Sequence, residues 1–137
     1  MKAVISAVAV LLALDTSAGL AQQKPSRNYE SPGAVLARVP EKDRAKRNPF
    51  ATDPEAASAG RKLFEQHCAE CHGRTAEGAR RGPSLRSEDL RQATPGEVFW
   101  ILTNGVVRRG MPAWSKLPEQ QRWQIVSFLQ EQKGSTP

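Results

Sequence analysis

The chain has 137 residues, 39% of them hydrophobic and 25% charged, with a formal net charge of +6. This length suits one small domain with a tail, and the composition excludes both a membrane bundle and a fully disordered chain. Aromatics are only 6% and there are two cysteines, so the core is thin and gains from a staple, while a disulfide-rich scaffold, a four-cysteine zinc site and an iron–sulfur cluster within one chain are excluded.

Met1 to Ala21 place one cation, Lys2, before an apolar run from Ala3 to Leu14 interrupted by Ser6, and end on Gly19-Leu20-Ala21. This is the layout of a secretory signal peptide, with cleavage expected after Ala21. An uncleaved anchor is the alternative, although a spanning helix needs roughly 20 apolar residues. Both readings put the rest of the chain outside the cytoplasm, in the periplasm or an equivalent exported location.

Residues 22–49 hold seven Lys and Arg against three Asp and Glu, and include Pro25, Pro32, Pro40 and Pro49. The segment shows no sustained apolar period and reads as a basic, largely irregular tail or linker, a solvated spacer. Val35, Leu36 and Val39 are the residues able to dock a short piece of it onto the domain. Basic tails bind nucleic acid or anionic headgroups. An exported chain seldom meets nucleic acid, so weak association with a membrane surface or membrane complex is the partner expected of this tail.

The domain is expected over residues 50–137. Asp53-Pro54-Glu55 reads as a cap, a first-position proline and a first-turn acid, and Gly60, Leu63, Phe64 and Cys68 recur at helical spacing. That helix is expected to reach Gln66–Cys71. Gly73 to Glu88 is rich in Gly, Arg and Pro and reads as loop, with one short turn near Ser87-Glu88-Asp89-Leu90. Thr94-Pro95-Gly96-Glu97 is a capping box, and its helix carries Val98, Phe99, Ile101 and Leu102 to a stop at Asn104-Gly105. Residues 106–117 read as loop. Pro118-Glu119 opens a last helix whose buried side is Trp123, Val126, Phe128, Leu129 and either Ile125 or Ser127, ending near Gly134. No segment alternates like a strand, so the fold class is all-α, with three main helices and long loops.

Residues 68–72 read Cys68-Ala69-Glu70-Cys71-His72, the attachment sequence for haem c. Two thiols at this spacing reach the two vinyl groups of one porphyrin, and the adjacent imidazole becomes the proximal iron ligand. One covalent haem would also supply the apolar body that the small core lacks. Three other readings compete. A Cys68–Cys71 disulfide closes a very small loop and stabilises little. Zinc needs about four ligands, and only His67, His72, the two cysteines and scattered acids are available. A thioredoxin-like thiol–disulfide oxidoreductase also carries C-x-x-C-H, but there the motif follows a strand and opens a helix; here a helix leads in and loop follows.

A second iron ligand is usually Met or His. Met1 leaves with the signal, and His67 is too close along the chain to His72 to cross the ring. Met111, in Gly110-Met111-Pro112, is the remaining candidate. A lone methionine ordinarily fills core; its place beside a haem motif and in a stiff loop reverses that expectation.

Residues 54–133 resemble a class I mono-haem cytochrome c. The pieces that carry the resemblance are Cys68-Ala69-Glu70-Cys71-His72-Gly73, Gly82-Pro83-Ser84-Leu85 and Gly110-Met111-Pro112-Ala113-Trp114. The resemblance implies the cytochrome c fold, with helices and loops wrapped around the haem. It further implies that the Pro83 carbonyl accepts the proximal imidazole N–H. Gly60 and Phe64 would cross Ile125 and Phe128 on the last helix. Trp100 and Trp114 resemble aromatics lining the haem pocket, one of them placed to bond a propionate; core packing is their alternative. The chain departs from the family in its N-terminal tail and in Leu117-Pro118, where a Ser or Asp cap is commoner, so the last helix is expected to fray at its first turn.

The resulting expectation is a monomeric exported electron carrier, not an enzyme, with His72 and Met111 as axial ligands and redox proteins as partners. Arg74, Arg80, Arg81, Arg108 and Arg109 form either a cationic ring steering acidic docking surfaces or plain solvated loop charge. A haem-based sensor or enzyme with a labile Met111 is the alternative of a different class, with Asn104, Arg108 and Arg109 near its open position. A di-haem peroxidase is excluded by the single C-x-x-C-H.

Overall fold

A computed structural model describes residues 31–134; the expected signal peptide lies outside them. The described elements are α1 (Pro32–Leu36), α2 (Glu41–Arg44), α3 (Pro54–His67), α4 (Ala69–His72), α5 (Glu88–Gln92), α6 (Pro95–Asn104), a 3-10 turn at Val107–Arg109, and α7 (Glu119–Gly134). Among the described residues there is no sheet, only isolated bridges between Ala79 and Gly82 and between Val106 and Met111.

Two of the three main helices, α3 and α6, start where their sequences set the caps. The Asp53 carboxylate accepts from the Glu55 N–H and Pro54 opens α3. Thr94 and Glu97 close a reciprocal capping box on α6, satisfying donors that a helix start leaves unpaired. No such side chain precedes α7. There the Arg122 backbone N–H makes a helical bond to the Pro118 carbonyl at 3.1 Å, and its Nε donates to the Leu117 carbonyl at 3.2 Å.

The scaffold is the crossing of α3 and α7. A β-carbon built on Gly60 would overlap the Gln124 carbonyl, so only glycine lets the two backbones come this close. One turn on, Phe64 and Phe128 meet with ring centroids 5.1 Å apart, both essentially fully buried. Burying each such ring contributes roughly 1.5–3 kcal/mol. On the other side, Phe99 of α6 stacks on Trp123 of α7 at 4.0 Å, and the Arg122 guanidinium lies 4.8 Å above the Phe99 ring.

The stretch expected as an irregular spacer differs from that expectation over residues 31–49. It forms α1 and α2, and Val35, Leu36, Val39, Asp43 and Asn48 are buried. The physical reason is a set of distant partners. Arg44 forms an ion pair with the buried Glu97, the Thr94 hydroxyl donates to the Arg44 carbonyl at 2.9 Å, and Asn48 Nδ2 donates to Ser127 Oγ at 2.8 Å. The last contact also explains why α7 buries both Ile125 and Ser127. Ile125 belongs to the hydrophobic core, and Ser127 meets Asn48.

Candidate functional site

The end of α3 leads directly into the site. Cys68 breaks the helix, with φ −121° and ψ −30°, and a single further turn, α4, carries Cys71 and His72. The helix expected to reach Gln66–Cys71 ends at His67, and Ala69–His72 form a separate turn. The Cys68 carbonyl accepts from the N–H groups of both Cys71 (3.1 Å) and His72 (3.0 Å), so one tight turn presents two thiols and an imidazole together.

His72 is buried at 8% exposure. Its Nδ1 lies 2.9 Å from the Pro83 carbonyl oxygen. A carbonyl only accepts, so Nδ1 carries the proton and Nε2 keeps its lone pair for a metal.

Two adjoining cavities share the walls Cys68, His72, Leu85, Leu90, Ile101 and Met111. They make one largely apolar slot. Met111 is fixed in it by its backbone: Val106 and Met111 exchange hydrogen bonds of 3.0 and 3.3 Å across the 3-10 turn. Trp114 follows, its N–H donating to the Leu102 carbonyl at 2.9 Å and its ring 5.2 Å from that of His67.

Of the residues singled out from sequence, Cys68, Cys71, His72, Pro83, Met111 and Trp114 all line the larger cavity. Trp100 does not line either one. Ile101 takes the slot-facing position on α6, and the preceding residue is turned about 100° around the helix. Sequence reasoning missed Leu85 and Leu90 as walls, although the apolar residues in a loop of Gly, Arg and Pro were a usable signal. It also missed Pro32 and Val35, which line the slot from the N-terminal segment.

Two arginines, Arg81 and Arg109, stand in the wall of the slot, Arg81 in an ion pair with Glu70, while Arg74 lies 3.8 Å from Glu65. At the α7 end Lys133 donates to the Ala93 carbonyl at 2.6 Å, and burial pulls its ammonium below the usual lysine range. Burial and the neighbouring Cys71 push the Cys68 thiol up to about 12. A thiol redox centre needs the opposite, a stabilised thiolate.

The donor set fits a haem c: two free thiols, an imidazole with one nitrogen already fixed, a thioether, and apolar walls between them. Among the described residues no cluster of three or more His, Cys, Asp or Glu could hold a metal ion without such a group.

The comparisons agree with this geometry. The family model described as "Cytochrome C oxidase, cbb3-type, subunit III" matches residues 55–129. The cbb3-type cytochrome c oxidase subunit CcoP of Rubrivivax gelatinosus is 32% identical over 102 residues, 65% of this chain and 33% of that protein. Subunit FixP of Sinorhizobium medicae (strain WSM419) is 38% identical over 52 residues, 37% of this chain and 18% of that protein. The chain thus spans a third or less of the curated relatives it matches. The crystal structure of cytochrome cL from Methylophaga aminisulfidivorans MPT superposes with a TM-score of 0.56 at 27% identity, covering 70% of each chain. The chain belongs to the cytochrome c family represented by subunit III of cbb3-type oxidases, and its helical fold is that of a mono-haem cytochrome c electron-carrier domain.

Proposed function

We propose that this domain carries single electrons outside the cytoplasm through one haem c, bound covalently by Cys68 and Cys71 and ligated by His72 and Met111. The observation that carries the reading is the shared slot, in which Cys68, His72 and Met111 line the same apolar walls. When bound, the haem supplies a one-electron Fe(II)/Fe(III) couple.

The chain's own residues set the conditions of that couple. The Pro83 carbonyl holds the imidazole of His72 in one tautomer and raises its basicity. Met111 offers a soft thioether, which favours the reduced state and raises the potential. Leu85, Leu90 and Ile101 exclude water and disfavour the extra positive charge of the oxidised state. Trp114 packs on His67 at the mouth of the slot and supports the Met111 loop.

The partners proposed are redox proteins with acidic docking surfaces, met at the rim formed by Arg81 and Arg109. The relatives' names, subunits of cbb3-type oxidases, favour a membrane redox complex as donor or acceptor. The apolar leader at Met1–Ala21 supports export to the periplasm. Among the described residues no helix is long and apolar enough to cross a membrane.

The test is an optical spectrum of protein matured where haem c is attached, recorded oxidised, reduced, and reduced with carbon monoxide. The expected result is a covalent haem c with the methionine–iron charge-transfer band and no response to carbon monoxide. Ready carbon monoxide binding would point to the sensor or enzyme reading. Two titratable thiols and no haem would overturn the proposal.

A further inference from the structure

The N-terminal segment enters the haem slot, yet it lies wholly outside the 55–129 match to the family model. Pro32 and Val35 of α1 line the cavity that also holds Cys68, Cys71, His72 and Met111. This wall is built, not draped. Ser31 caps α1, its hydroxyl accepting from the Ala34 N–H at 3.2 Å. The Gly33 N–H donates to Asp89 of α5 at 2.9 Å.

One residue clamps the whole segment. The Arg44 guanidinium pairs with Glu97 and also donates to the carbonyls of Leu36 (3.3 Å) and Val39 (3.5 Å). It therefore ties the end of α1 to the start of α6. Glu97 is itself held by the Thr94 N–H at 2.6 Å. On α6, a β-carbon on Gly96 would overlap the Asp43 carbonyl, so the segment lies directly on that helix. Asn48 closes the far end, donating to Ser127 at 2.8 Å and Gln130 at 3.3 Å.

We propose that residues 31–49 are a clamped flap of the haem slot, which walls one side of it and sets how fast water and small ligands reach the metal. The proposal rests on the haem c reading above. An access wall needs apolar residues in the slot and anchors outside it. Pro32 and Val35 supply the first, Arg44 and Asn48 the second. Ligands then enter through the population in which the flap is released, and a weaker clamp raises that population.

The test uses the full chain, loaded with haem, as wild type and as Arg44→Gln, Val35→Asp and Arg44→Lys. Flap release is read by limited trypsin cleavage at Arg38, Lys42, Lys46 and Arg47. Slot access is read by the association rate of imidazole with the oxidised protein, with Met111→Ala added to every chain compared so that loss of the Met111 ligand does not set the rate. Arg44→Gln and Val35→Asp are expected to be cut faster within residues 38–47 and to bind imidazole about tenfold faster, each rate being taken on the haem-loaded fraction. Arg44→Lys should recover most of the slow rate.

Faster cleavage with an unchanged imidazole rate would overturn the proposal and leave the haem c reading intact. Unchanged cleavage in both Arg44→Gln and Val35→Asp would overturn it as well, because the clamp would not be holding the flap. A wild-type chain without covalent haem would instead sink the functional reading on which the proposal stands. Val35→Asp keeps the test open should the loss of Arg44 unfold the chain around the buried Glu97.

Discussion

The Nδ1 of His72 lies 2.9 Å from the carbonyl oxygen of Pro83, so the imidazole is held by main chain and not by a side chain. Replacing Pro83 by alanine keeps the acceptor. We expect Pro83→Ala to retain covalent haem and a low-spin spectrum, with at most a small change in potential. His72→Ala should lose the low-spin spectrum. Loss of that spectrum in Pro83→Ala would mean that the stiffness of the proline ring, not its carbonyl, orients the imidazole.

Met111 is held by its own backbone pairing with Val106, so changing its side chain should leave the loop in place. Met111→Ala is expected to lose the methionine–iron charge-transfer band and to bind carbon monoxide when reduced. Met111→His should stay low-spin at a lower potential, because a thioether favours reduced iron more than an imidazole does. Potentiometric titration of the three proteins checks the order. A wild type and Met111→Ala that bind carbon monoxide equally fast would remove Met111 as a ligand.

The thiol chemistry is testable in the same way. With the Cys68 thiol pushed up to about 12, its thiolate fraction at pH 8 is about one in ten thousand, against about one in ten for a thiol near 9. The chain prepared without haem should therefore reduce insulin disulfides no faster than background at pH 8. Turnover comparable to a thioredoxin-like enzyme would revive the thiol–disulfide reading.

What could be read from sequence was whatever local chemistry decides. Asp53-Pro54 and the Thr94–Glu97 box fix helix starts through contacts three residues apart or fewer, and C-x-x-C-H carries its spacing within one turn. The capping and attachment segments were legible for that reason. The flap was not, because it is held by Arg44–Glu97 and Asn48–Ser127, pairs 53 and 79 residues apart. Basic charge and prolines in residues 22–49 suggested a solvated spacer, and only the partners across the fold turn Arg44 from a surface cation into a clamp. Trp100 shows the same limit at one position. Its type suggested the pocket, but the rotation of α6 gives that place to Ile101.

The α3–α7 crossing predicts where the domain is least tolerant of change. Gly60 sits where a β-carbon would strike the Gln124 carbonyl, a backbone atom that cannot swing aside as a side chain would. Gly60→Ala gains helix propensity, worth up to about 1 kcal/mol in an unhindered helix, but the clash forces α3 and α7 apart. Overpacking of this kind costs about 1–3 kcal/mol or more, so the net effect is destabilising, and Gly60→Val should be worse. Phe64→Ala, which empties the neighbouring contact with Phe128, should cost about 3–5 kcal/mol. Urea unfolding of the haem-loaded chain, followed by far-ultraviolet circular dichroism, checks all three. Gly60→Ala as stable as wild type would mean that the helices part at little cost, and the crossing would not be what holds the Cys68 turn against the rest of the slot.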